Sequence, residues 1–165
     1  MSVFSLFDIA AEFEVMSLAI VEEQQESLEK AAQIVEKRAK EIIGHYQTDT
    51  GPFDQWRALA ESTLSEKKRL GYAPPDNPLL RTGEIRESIE HTVEARRALI
   101  GSNNDIAVYQ ELGTHGPNPG PDGYHVPPRS FLGAAAFQKE TEVEEILGDA
   151  IIEQVIFGET GIVIK

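Results

Sequence analysis

Apolar residues at Ile9, Phe13, Met16 and Ile20 recur at spacings of four, three and four, and the same stripe resumes at Ala31, Val35, Ala39 and Ile42. That period is helical, and it predicts one long helix, or two in series, over residues 5–43. Ser5 and Asp8 form a capping pair at its start, and Gly44 marks its stop. A straight helix of this length would reach about 60 Å, too long for one compact domain of this size. Either it bends in the polar stretch 22–27, or its first half packs on a neighbouring subunit. That first half carries Phe4, Leu6, Phe7 and Phe13, apolar surface of the kind that interfaces cover.

Further along, Asp54 is placed to cap a short helix carrying Trp56, Leu59 and Leu64, ended by Gly71. Pro74-Pro75-Asp76-Asn77-Pro78 reads as an irregular link. Thr82 is placed to cap another short helix through Ile85 and Ile89. The period then changes: His91, Val93, Ala98 and Ile100 suggest two short strands, with turn chemistry at Ser102-Asn103-Asn104-Asp105. Val108–Leu112 reads as a helical turn, and 115–123, rich in Gly and Pro, as a loop. From Phe131 the pattern is helical again, with Phe137, Val143, Ile146, Leu147 and Ile151 on one side. Ile162-Val163-Ile164 reads as a terminal strand. The expected organisation is a single domain over 1–165. It comprises a long helical segment 1–43, an α+β core 54–136, a C-terminal helix 131–157 and a terminal strand within 158–165.

Composition narrows the class. The chain has 165 residues, 41% of them hydrophobic, and no cysteine. Disulfides and cysteine-ligated metals are therefore excluded. No apolar run approaches the roughly 20 residues that a membrane span needs, and the start has no basic segment of the secretory type. Neither a membrane partner nor export is expected. The net charge of −13 is uneven. Residues 1–43 hold nine acidic and four basic residues, and 134–157 hold six acidic and one basic, a net of −5 in each. The middle, 44–133, carries only −3 and most of the arginines. Tight nucleic-acid binding needs clustered cations, and this balance argues against it.

Candidate chemistry is sparse. His115 and His125 flank the Gly/Pro-rich loop with Asp122 between them, a set that would serve a metal-dependent hydrolase. Metal-ligand pairs usually sit at short fixed spacing on rigid elements, and a ten-residue gap does not supply that. Glu111 has no partner carboxylate in a fixed local frame. It is instead suited to accept hydrogen bonds from nearby backbone or an arginine, beside the turn that Gly113 permits. Ser88 and Ser130 lack a nucleophile-elbow setting, and the glycines at 113, 116, 120 and 123 fit no phosphate loop. In so acidic a chain, Arg81, Arg86 and Arg129 are suited to two-pronged pairs with carboxylates, or else to an exposed face. Trp56 reads as core.

The order of the motifs is more telling than any one of them. Trp56-x-x-Leu59 and Thr63-x-x-x-Lys67 precede Leu80-Arg81-Thr82-Gly83-x-Ile85-Arg86-x-Ser88-Ile89. Ile100-Gly101 follows, then Tyr109-x-Glu111-x-Gly113-Thr114, then Pro127-Pro128-Arg129-x-Phe131-Leu132. This series resembles the phage virion-morphogenesis and tail-completion family, which includes head–tail joining proteins and minor tail components. The resemblance covers 56–136 well and the terminal helices only in general shape. Ser130 stands where many relatives have proline, and the loop 115–124 is longer than the plain form.

The resemblance implies an α+β fold, a small antiparallel β-sheet packed by a long N-terminal helix and a C-terminal helix. It implies a non-enzymatic structural protein without cofactor, made in the bacterial host cytoplasm and carried in the virion at the neck or tail top. The implied partners are further copies in a hexameric ring, neighbouring neck and tail proteins, and DNA passing through without specific binding. Phe4, Phe7 and Phe13 are the expected oligomer contacts.

Overall fold

The computed structural model describes residues 6–94, 97–114 and 125–152, with side chains described from residue 24 and up to residue 150. The fold is α+β: five helices and one two-stranded antiparallel sheet among the described residues. The order is α1 Leu6–Ile42, α2 Glu61–Arg69, α3 Glu84–Glu87, β1 Ile89–Glu94, β2 Arg97–Ser102, α4 Asp105–Leu112 and α5 Leu132–Ile152. The chain groups into two compact units. The first takes residues 6–32, 92–94, 97–99 and 141–152; the second takes 33–91, 100–114 and 125–140.

α1 is assigned as helix straight through the polar stretch 22–27. It stops where expected: Gly44 has φ +98° and donates its N–H to the Pro78 carbonyl at 2.9 Å. The second half of the anticipated stripe, Ala31, Val35, Ala39 and Ile42, is buried, and the side chains of its first half lie outside the described residues. In the second unit Val35, Ala39, Ile42 and Ile43 share a core with Trp56, Ile89, Ala107, Phe131, Ala134 and Ala135. In the first unit Ala31, Ala32 and Ala150 are buried, together with Ser27.

α2 differs from expectation. It starts at Glu61, after Ala60, not at Asp54. Residues 54–60 are irregular because groups from the preceding loop claim their backbone. Asp49 Oδ1 accepts from Gln55 N–H at 2.8 Å, the Gln47 carbonyl from Trp56 N–H at 2.9 Å, and the Tyr46 hydroxyl oxygen from Leu59 N–H at 3.1 Å. Trp56 is core as read, at 6% exposure, but as an anchor in an irregular segment. Gly71 closes α2 at φ +78° in a Schellman arrangement, with Gly71 N–H on the Lys68 carbonyl and Tyr72 N–H on that of Lys67.

α3 is also shorter than read. It covers four residues, its N-cap is Gly83 at φ +96°, and Ile89 already belongs to β1. The Thr82 hydroxyl lies 3.5 Å from Glu84 N–H, a marginal contact. The turn chemistry after β2 is a helix start: Asn104 Oδ1 accepts from Ile106 N–H at 2.9 Å and caps α4.

Of the expected face of α5, Val143, Ile146 and Leu147 are half-buried. Ala134 and Ala135 are buried, whereas Phe137 is 45% exposed. Phe137 instead covers Gly51, where an added Cβ would come within 2.4 Å of its ring. Phe53 in turn covers Gly133, where a Cβ would meet the ring at 2.5 Å. The expected capping residue Ser5 and the expected strand at 162–164 lie outside the described residues, as does the loop 115–123.

Candidate functional site

α4 ends by delivering Glu111 to the start of α5. The first N–H groups of a helix have no partner within it. Here one carboxylate supplies them: Glu111 Oε2 accepts from Phe131 N–H at 2.7 Å and Leu132 N–H at 2.9 Å. Its Oε1 accepts from Gly133 N–H at 2.9 Å and from the Ser130 hydroxyl. A negative group at this end also meets the positive end of the helix dipole. Glu111 thus accepts from backbone, as its setting suggested, but the backbone is about twenty positions away. The Ser130 hydroxyl thus joins this cap.

The chain beyond Glu111 turns on Gly113. Its φ is +71°, and an added Cβ would lie 2.9 Å from Pro128 N and from the Val126 carbonyl. Thr114 then pairs with Val126 twice: Thr114 N–H donates to the Val126 carbonyl at 3.0 Å, and Val126 N–H to Thr114 Oγ1 at 2.8 Å. Arg129 N–H reaches the Gln110 carbonyl at 2.6 Å. So Glu111, Gly113, Thr114, Pro128, Arg129 and Phe131 are brought together as one joint. Tyr109 is left out of it, at 56% exposure. It belongs to an apolar face of α4 with Ile106, Val108 and Leu112, each 48% exposed or more.

Arg129 is only 7% exposed, yet pairs with no carboxylate among the described residues. Within the chain, Nη2 instead donates to the Arg57 carbonyl at 3.2 Å, and Nε is buried without a hydrogen-bond partner among the described residues. Burial pushes its pKa down, with Tyr46 opposing. Lys67 is 4% exposed and donates to the carbonyls of Asn77 at 2.6 Å and Leu80 at 2.9 Å. Burial lowers its pKa first and Arg81 lowers it further, while Asp76 partly offsets both. Those carbonyls flank Leu79, a non-glycine residue at φ +60°. Tyr46 donates to Asp76 Oδ1 at 2.7 Å, and its pKa is raised chiefly by burial.

Lys67 and Arg129 both line a cleft of about 480 Å³ within the second unit. Leu80-Arg81-Thr82-Gly83 and Pro127 line it too. Arg81 pairs with Glu66 at 3.0 Å and stacks over Tyr72, 5.5 Å from the ring centre. Arg86 is exposed and lies instead in a shallow groove with Glu36 and His91. Ser88 serves the frame: its hydroxyl donates to the Ile85 carbonyl at 2.9 Å and lies 2.6 Å from the Ser102 hydroxyl, which can donate to it.

Sequence reasoning missed two features. Lys67 entered it only as a spacing within the motif series; a lysine beside Lys68 and Arg69 looks like a solvated helix face. Glu36 of α1 meets both Lys40 and His91 of β1. Burial raises the Glu36 pKa, but the two cationic partners outweigh it and the net shift is downward. Nothing in a residue pattern pairs positions that far apart.

Of the proposed hydrolase set, His125 is exposed in the cleft lining, and His115 and Asp122 lie outside the described residues. Among the described residues no group of three or more His, Asp or Glu is placed to hold a metal. The side chains of Phe4, Phe7 and Phe13 are likewise outside the description. Among the described residues, no helix is long and apolar enough to cross a membrane. Comparison with protein-family models, curated proteins and solved structures returns no match.

Proposed function

We propose that this chain is a structural subunit of a tailed phage or phage-like particle, closing into a ring at the head–tail neck or the tail top. The observation that carries this reading is the use to which the motif residues are put. Glu111 spends its carboxylate on the start of α5, Gly113 on a turn, and Ser88 on a strand end. Residues spent in this way build a frame, which is what the resemblance to the virion-morphogenesis family implies. The exposed apolar face of α4 also supports a partner surface.

In this reading the working form is a homo-oligomer, six copies being the count the resemblance implies, with neck and tail proteins as its neighbours. DNA would pass it without specific binding, because carboxylates repel a polyanion while lysine and arginine would hold its phosphates. The experiment is native mass measurement of the full chain over a range of concentrations, with particles produced beside it. A closed ring of one stoichiometry, found also in purified particles, is the expected result. A chain that stays monomeric throughout and is missing from particles sinks the reading.

A further inference from the structure

The cleft is lined by two cations, Arg129 and Lys67, each more than nine-tenths buried. Burying a charge is costly unless it is paired. Yet among the described residues neither meets a carboxylate within ion-pair distance, in a chain with 28 carboxylate side chains. Arg129 Nε has no hydrogen-bond partner among the described residues. The rest of the lining leans the same way. Arg57 stands exposed in it, Arg81 and His125 line it, and its one acidic residue among those described is Glu84. The start of α2 adds to this: Ala60 and Thr63 line the cleft, and Ala60, the N-cap residue, supplies no side-chain cap. A buried unpaired guanidinium, a buried ammonium and an uncapped helix start all favour an anion.

We propose that this cleft receives a carboxylate from a second copy of this chain, offered by the glutamates of α5. Charge complementarity selects that occupant. Glu140, Glu142, Glu144 and Glu145 are exposed on α5, in a segment carrying −5. The lip of the cleft also offers adhesion. Ile106 lines the cleft, and Val108, Tyr109 and Leu112 extend the exposed apolar surface along α4. A cleft on one copy that takes a helix from a different position on the next is a head-to-tail contact. Such contacts close into rings when the rotation permits. The proposal therefore rests on the ring reading and supplies one of its contacts.

The test uses the full chain, by sedimentation velocity and native mass measurement at about 50 mM and about 1 M salt. Arg57→Glu reverses an exposed charge of the cleft, and the triple change Glu142→Lys, Glu144→Lys, Glu145→Lys reverses the donor. Each alone should weaken self-association at least about tenfold, and combining them in one chain should restore most of it. Arg129→Met removes the buried charge at similar volume. A subunit that used Arg129 only for its own fold would melt lower. One that held it for a partner should melt at or above the wild-type temperature while losing assembly. Rings that ignore all three changes and salt would overturn the cleft contact and leave the ring reading standing. A chain monomeric under every condition would overturn both. Millimolar inorganic phosphate raising the melting temperature while assembly ignores Arg57→Glu would make the cleft a small-anion site, and the second copy would be the wrong occupant.

Discussion

Gly113 has two reasons to be glycine, and they act together. Its φ of +71° lies where side chains are strained, and its missing Cβ leaves room for Pro128 N and the Val126 carbonyl. Both neighbours are backbone and cannot swing away. Gly113→Val should cost more than about 2 kcal/mol, seen as a fall of at least about 5 °C in melting temperature. An unchanged melt would refute the turn. Glu36 makes a different prediction, one about pH. Because its folded pKa lies below the ordinary 4.5, its ionised form favours folding. That contribution is present above about pH 4.5 and is lost as pH falls through the lowered folded value. The gap in melting temperature between wild type and Glu36→Gln should therefore be open near neutral pH and close in acid. A gap that widens in acid would contradict the pairing with Lys40 and His91.

Among the elements, α5 depends on a residue it does not contain. Glu111→Ala would strand the Ser130 hydroxyl and three N–H groups at the helix start. The expected cost is about 2–4 kcal/mol, with less helical circular dichroism and a lower melt. A variant as stable as wild type would show that water replaces the cap. The elements also show how far pattern carries. α1 was legible because one stripe repeats along its length and Gly44 sits at its end. The two strands and α5 were legible for the same kind of reason. α2 was misplaced because Trp56 and Leu59 are spaced as on a helix, while Tyr46, Gln47 and Asp49 take the hydrogen bonds that a helix would need. On α5 the spacing marked Val143, Ile146 and Leu147, which are half-buried, but not Ala134 and Ala135, which are buried more fully than Phe137 and too small to stand out in a pattern. Of the joint, Gly113 and Glu111 were visible as chemistry. The partner of Glu111 was not, since only the fold brings α4 to the start of α5. The cationic cleft was invisible, because its lysine is held by carbonyls on either side of Leu79, whose positive φ no pattern announces.

At the scale of the whole chain, assembly and folding should separate. The second unit has its core in residues from 35 onward, while the expected oligomer contacts Phe4, Phe7 and Phe13 lie at the start. Deleting residues 1–20 should therefore weaken ring formation more than it lowers the melting temperature. A truncated chain that no longer folds, or one that assembles like the full chain, would count against placing those contacts there.

The paired hydrogen bonds between Thr114 and Val126, backed by the cap that Glu111 of α4 places on α5, act as a clasp at the base of the segment 115–124. Lengthening the segment between the clasped ends costs loop-closure entropy, which grows slowly with length. Doubling it costs about 0.6 kcal/mol, a change in melting temperature of a few degrees at most. Inserting a ten-residue Gly/Ser stretch there should leave the melt nearly untouched, and a large loss would mean that the segment itself carries stability. With Thr114 and Val126 holding both ends, the frame beneath is expected to keep its shape when sequence is added between them.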